Sequence, residues 1–214
     1  MLESFGVNLK MTPEVAHNSL DKCNLTFLFA PHYHAGIRHA MPVRKTLHTR
    51  TLFNILGPLV NPAKPPIQLL GVYLPDLCRP MAEALNLLGI KRAMVVHGSG
   101  MDEIALHGST KVVEINQGNI IEYEINPTDF GLKTYSVDLL EGGEPDFNAN
   151  ITSNILKGQG SEAHNAAIAI NVAALLVLFD KANDLKQGAD ITQQVMASGK
   201  AMDTFNAFIE LSNQ

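Results

Sequence analysis

The sequence predicts an α/β fold with a mostly parallel sheet and flanking helices, and three observations predict it. Two short apolar runs, "QLLGVYL" at Gln68–Leu74 and "RAMVVHG" at Arg92–Gly98, bracket a helical stretch, "DLCRPMAEALNLLG". Strand, helix and strand in that order is how a parallel pair with a crossover reads. Three longer helical patterns close the chain, and 214 residues at 46% hydrophobic and 17% charged suffice for a sizeable core.

The elements follow in order. Thr12-Pro13-Glu14 opens a helix that runs to about Lys22: an N-cap residue, proline at the first helical position, an acid in the first turn. "LTFLF" at Leu25–Phe29 reads as a short apolar strand that ends at Ala30-Pro31, before the histidine-rich "PHYHAGIRH". Two short helices are expected at Pro42–Leu47 and Thr51–Leu56, the second stopped by Gly57-Pro58. After the strand–helix–strand unit, "TKVVEI" and "NIIEYEI" flank Asn116-Gln117-Gly118 as a hairpin. The closing helices are expected at Pro145–Lys157, Ser161–Phe179 and Ile191–Leu211, the last interrupted near Gly199. So few strands, in a chain that opens on a helix, predict an incomplete sheet.

Composition excludes several classes. The most apolar run, Ala166–Phe179, is too short to span a bilayer and contains Asn171, so it reads as a buried helix. The N-terminus lacks the basic and apolar regions of a signal peptide. Cys23 and Cys78 stand far apart without CxxC spacing, which fits a reducing cytoplasm. The net charge of −5 argues against general nucleic-acid binding. Charge is nonetheless uneven: all 21 acidic residues lie outside the interval between Asp21 and Asp76. That interval holds Lys22, Arg38, Arg44, Lys45, Arg50 and Lys64, with His32, His34, His39 and His48. Uncompensated positive charge inside an acidic chain points to a local anion site.

The second chemical feature is "VVHGSGMDEI" at Val95–Ile104, where a buried strand runs into His97-Gly98-Ser99-Gly100 and then Asp102-Glu103. Ligands of open α/β sheets bind beyond the carboxyl ends of the strands, and adjacent carboxylates suit a hard cation such as Mg²⁺ with phosphate oxygens. His32, His34 and His39 have a weak zinc spacing with neither a cysteine nor an acid nearby. Neither GxGxxG, GxxxxGK[ST] nor GxSxG occurs. "GQGSEAHN" at Gly158–Asn165 reads as an ordinary N-cap at Ser161, since no strand leads into it.

The block "FLFAPHYHAGIRHAMPVRKTLHTRTLFNILGPLVNPAKPPIQLLGVY", followed by "VVHGSGMDEI", closely resembles the anthranilate phosphoribosyltransferase family. The pattern R-x5-RT-x-FN-x2-GP-x2-NP carries most of the likeness, which extends over essentially the whole chain. The resemblance implies transfer of phosphoribosyl from phosphoribosyl pyrophosphate to anthranilate in tryptophan biosynthesis. It implies a small helical domain and a large α/β domain of the nucleoside phosphorylase/phosphoribosyltransferase type, a cytoplasmic homodimer, and Mg²⁺. Carried over, Arg44 matches the arginine that binds anthranilate, and His34, Gly57 and Pro58 match residues lining the same pocket. Asp102 and Glu103 match the Mg²⁺ pair, with Arg50 and Asn54 as supporting residues. The resemblance assigns no catalytic acid or base. An arginine fork pairs bidentately with a carboxylate, and the attacking aryl amine needs positioning more than a strong base.

The departures matter. His48 stands where many family members have glycine, and the family's GTGGD-type loop, its lysine–histidine–glycine–asparagine motif and the serine-rich stretch after it are absent. These would lie before Met1, so residues 1–214 are expected to be the partial C-terminal α/β glycosyltransferase-type domain, lacking the N-terminal region and inactive or nearly so alone. Two other readings are a non-catalytic binding or assembly module and a related pyrimidine nucleoside phosphorylase, against which the Arg44–Pro62 block argues.

Overall fold

The computed structural model describes residues 1–33 and 53–214. In chain order these form α1 (Pro13–Cys23), α2 (Ala30–Tyr33), α3 (Phe53–Leu59), β1 (Ile67–Gly71), α4 (Cys78–Leu87), β2 (Arg92–Gly98), β3 (Thr110–Asn116) and β4 (Asn119–Ile125). They are followed by α5 (Pro145–Leu156), α6 (Glu162–Leu178), α7 (Leu185–Ala197) and α8 (Lys200–Ser212). The chain divides into two units: Met1–Gly57 with Gly142–Gly160 and Met196–Gln214, and Pro58–Glu141 with Ser161–Val195.

In the first unit, α1 starts as expected: Thr12 Oγ1 accepts the Val15 N–H at 3.3 Å, and Asn24 closes the helix at φ 58°. Val7, Met11, Phe205 and Phe208 form the core, with Phe5 packed edge-on against Phe205 at 4.9 Å. Leu25–Phe29 is not a strand. Leu25 and Phe27 pack on that core and Phe27 stacks with Phe29 at 6.4 Å, as in an extended chain, but among the described residues no neighbour supplies a ladder. Apolar composition makes a segment extended; pairing makes it a strand.

Helix α3 does not stop at Gly57-Pro58 but runs through it to Leu59. Proline disfavours helix at the preceding residue partly through that residue's Cβ. Glycine has none, so Gly57 stays helical, and Pro58 forfeits one N–H in the final turn. The expected helix at Pro42–Leu47 lies outside the described residues.

In the second unit the sheet order is β1-β2-β3-β4. β1 and β2 are parallel, with Leu69 opposite Met94 and Gly71 opposite Val96, and α4 is the crossover. The expected mostly parallel sheet is, among the described residues, a mixed one, since β2–β3 and β3–β4 are antiparallel. Connection length decides the β3–β4 pair. Parallel pairing requires a crossover of about a dozen residues or more, usually helical, whereas the β3–β4 turn is the pair Gln117 (φ 49°) and Gly118 (φ 88°).

Period-two alternation sends Met94 and Val96 into one cluster with Ile104, Leu106, Val112, Phe130, Ile170 and Leu178. Ala93 and Val95 are equally buried and point to the other face. Ser161 caps α6 by accepting the His164 N–H at 3.2 Å. The expected Ile191–Leu211 helix is two helices broken at Gly199 (φ 72°), and the first begins earlier. Asp184 Oδ1 caps the helix by accepting the Gln187 N–H at 2.7 Å, and Gln187 Oε1 accepts the N–H of Asn183, one residue before the cap, at 2.6 Å. Cys23 and Cys78 are free thiols, and no described helix is long and apolar enough to cross a membrane.

Candidate functional site

The parallel strands β1 and β2 end at Gly71 and Gly98, and the acidic pair is built on those two glycines. After Gly98 the chain turns through Ser99 (φ 47°) and Gly100 (φ 97°). Gly98 and Met101 exchange N–H···O bonds of 3.0 and 2.9 Å across the turn. This reversal brings the Asp102-Glu103 backbone back over the strand ends. A Cβ on Gly71 would lie 1.6 Å from the Asp102 carbonyl oxygen, and one on Gly98 would lie 2.3 Å from that of Glu103. Only residues without side chains allow this contact.

Hydrogen bonds pin the loop. His97 Nδ1–H donates to the Val72 carbonyl at 2.8 Å, so its Nε2 is free to accept the Gly100 N–H at 3.3 Å. The bond to a carbonyl fixes this neutral tautomer. Ser99 Oγ donates to the Ser109 carbonyl at 2.8 Å, and His107 Nε2–H donates to the Ser99 carbonyl at 3.0 Å. Beyond the acids, the Ile104 N–H donates to Asn171 Oδ1 at 3.1 Å and the Ala105 N–H to buried Thr110 Oγ1 at 3.0 Å.

Asp102 and Glu103 line a cleft of about 350 Å³ with Leu69, Gly71, Val96, Ala167, Ile168, Asn171 and Val172. Partial withdrawal from water, and then the neighbouring charge of Asp102, push the Glu103 carboxyl above its ordinary range. Among the described residues, neither carboxylate has a cationic partner. The donor set is two carboxylates without sulfur or imidazole, and partial burial, then the Asp102 charge, disfavour the ionised form of Glu103, a cost that a cation would offset. That fits Mg²⁺, which takes one or two carboxylates and fills its other positions with water and phosphate oxygens. Among the described residues no group of three or more His, Cys, Asp or Glu could form an all-protein cage.

His34, Arg44 and Arg50 fall outside the described residues, as does the Asn54 side chain, together with His39 of the zinc spacing. Gly57 and Pro58 sit in α3. Pro58 lines a separate depression of about 410 Å³ with Asn61, Lys64, Gln68 and Leu88, and its carbonyl accepts from Gln68 Nε2 at 3.3 Å. Asp102 and Glu103 take no part in that depression. Sequence reasoning missed Gly71 and Asn171. The available signals were a glycine inside an apolar strand pattern and an amide inside an apolar helix.

Fold and site together define an α/β protein that presents paired carboxylates at the carboxyl ends of parallel strands. Residues 1–202 match the glycosyl transferase family, a/b domain, and the chain belongs to that family. An anthranilate phosphoribosyltransferase of Pseudoalteromonas translucida (strain TAC 125) is 61% identical over 213 residues, which cover 100% of this chain and 60% of the relative. Another, of Colwellia psychrerythraea, is 59% identical over 214 residues, covering 100% and 59%. Among solved structures, the anthranilate phosphoribosyltransferase of Thermus thermophilus superposes with a TM-score of 0.92 at 38% identity, covering 100% of this chain and 63% of that one. The Saccharomyces cerevisiae enzyme in complex with PRPP and Mg gives 0.88 at 27%, covering 99% and 61%. The chain thus spans about 60% of the length of the curated relatives it matches.

Proposed function

We propose that the chain is the partial C-terminal α/β glycosyltransferase-type domain of an anthranilate phosphoribosyltransferase, acting in tryptophan biosynthesis. The observation that carries this reading is the 61% identity over an alignment that covers the whole chain. The reaction joins the aryl amine of anthranilate to the ribosyl carbon of phosphoribosyl pyrophosphate and releases pyrophosphate. The Arg44 guanidinium pairs with the anthranilate carboxylate and orients the amine, with His34, Gly57 and Pro58 lining the pocket and Arg50 and Asn54 in support. Asp102 and Glu103 would hold Mg²⁺ through their carboxylates, on a loop kept in place by the glycine contacts and the His97 and Asn171 hydrogen bonds. Mg²⁺ held there would supply charge neutralisation for the departing pyrophosphate. A cytoplasmic homodimer belongs to the same proposal, on the resemblance alone.

The 214 residues contain no GTGGD-type loop and no lysine–histidine–glycine–asparagine motif. On their own they are therefore proposed to be inactive, or nearly so, toward anthranilate. The test is anthranilate consumption with phosphoribosyl pyrophosphate and Mg²⁺, by these residues alone and by a chain extended to the length of its relatives. Turnover only by the extended chain is expected. No turnover by a folded extended chain overturns the assignment, and turnover by the 214 residues alone overturns the claim of incompleteness.

A further inference from the structure

Asn171 interrupts the apolar run of α6, where helix propensity favours alanine or leucine. Its carboxamide is oriented without ambiguity. Nδ2 donates to the Ala167 carbonyl at 3.0 Å, one turn back, and Oδ1 accepts the Ile104 N–H at 3.1 Å. The flipped amide would satisfy neither partner. Ile104 follows Glu103 directly and is only 3% exposed, so its N–H needs a protein acceptor. Asn171 also lines the cleft with both carboxylates. The acidic segment is thus held from two directions, by Gly71 and Gly98 beneath it and by α6 just after Glu103.

We propose that Asn171 is a positioning residue for the Asp102–Glu103 pair: by holding the Ile104 N–H from α6, it fixes the peptide that aims both carboxylates into the cleft. The inference rests on the reading of that pair as a divalent-cation site. Asn171 touches no reacting atom; its effect reaches the cation through the backbone. Partners that orient ligating residues commonly change metal affinity by about 10–100-fold when removed.

The test measures Mn²⁺ binding to the 214-residue chain by electron paramagnetic resonance, and Ile104 amide exchange by NMR. Asn171→Leu keeps the branched shape of the side chain but removes both hydrogen bonds, while Asn171→Asp keeps the acceptor oxygen. The expected results are a protected Ile104 amide in the wild type, faster exchange and about 10–100-fold weaker Mn²⁺ binding in Asn171→Leu, and binding largely restored in Asn171→Asp. Wild-type Mn²⁺ affinity in a folded Asn171→Leu protein overturns the inference. So does an Ile104 amide that exchanges in the wild type as fast as an unprotected peptide, a measurement that needs no variant to fold. Asp102→Asn separates the two readings. If the wild type and Asp102→Asn both fail to bind Mn²⁺, the cation reading fails and the inference falls with it. If Asp102→Asn loses binding while Asn171→Leu does not, the inference alone fails.

Discussion

At the residue scale, the strongest constraint is one that a list of polar groups would not contain. Gly71 has no functional atom, yet the Asp102 carbonyl occupies the place of its side chain. Backbone cannot yield as a flexible side chain can, so Gly71→Ala is expected to cost more than about 2 kcal/mol and to displace the acidic loop. Urea unfolding measures the first effect and Mn²⁺ binding the second; a variant with wild-type values for both contradicts the contact. Glu103 gives a pH prediction. Its carboxyl is raised, so the folded chain holds this proton more tightly than the unfolded chain. The associated stability is full below the ordinary carboxylate range and is lost as pH rises through the raised value. Mn²⁺ binds the ionised form, so its affinity should follow the opposite course, weakening as pH falls through that value. Affinity that stays flat from about pH 8 to about pH 4 would contradict this assignment. The acids themselves were legible in the sequence, because a strand, two glycines and adjacent carboxylates are a local pattern. Gly71 and Asn171 act on residues distant in sequence, and a single sequence does not state such contacts.

At the element scale, local chemistry was the reliable guide. Thr12 and Ser161 cap the helices assigned to them, and Gln117-Gly118 makes the expected hairpin turn. Errors arose where a rule about one residue met a neighbour that changed it. Pro58 fails to stop α3 because Gly57 precedes it, and Leu25–Phe29 has strand composition without a strand partner among the described residues. The early start of α7 was hidden by Gly188, which propensity places outside helices. The structure uses that glycine for packing: a Cβ there would lie 2.9 Å from the Ala173 Cα and carbonyl oxygen on α6. Gly188→Ala is therefore expected to lower stability by about 1–3 kcal/mol, read as a fall in Tm. An unchanged or higher Tm would show that α7 tolerates the extra methyl.

At the scale of the whole molecule, the α/β class and the crossover were legible because strand–helix–strand alternation is a pattern of consecutive elements. The antiparallel β3–β4 pair was legible in its hairpin turn, but the antiparallel β2–β3 pair was not, because its direction depends on how the Ser99–Ser109 loop returns the chain. The proposed function rests on the basic block and the acidic loop together, and they predict separable roles. In a chain extended to the length of its relatives, steady-state kinetics of Arg44→Ala and Asp102→Asn test this account most directly. The account predicts that Arg44→Ala raises the KM for anthranilate and leaves the Mg²⁺ requirement unchanged, while Asp102→Asn raises the Mg²⁺ requirement and leaves anthranilate affinity unchanged. An anthranilate KM unaltered by Arg44→Ala, or a Mg²⁺ dependence unaltered by Asp102→Asn, would contradict it.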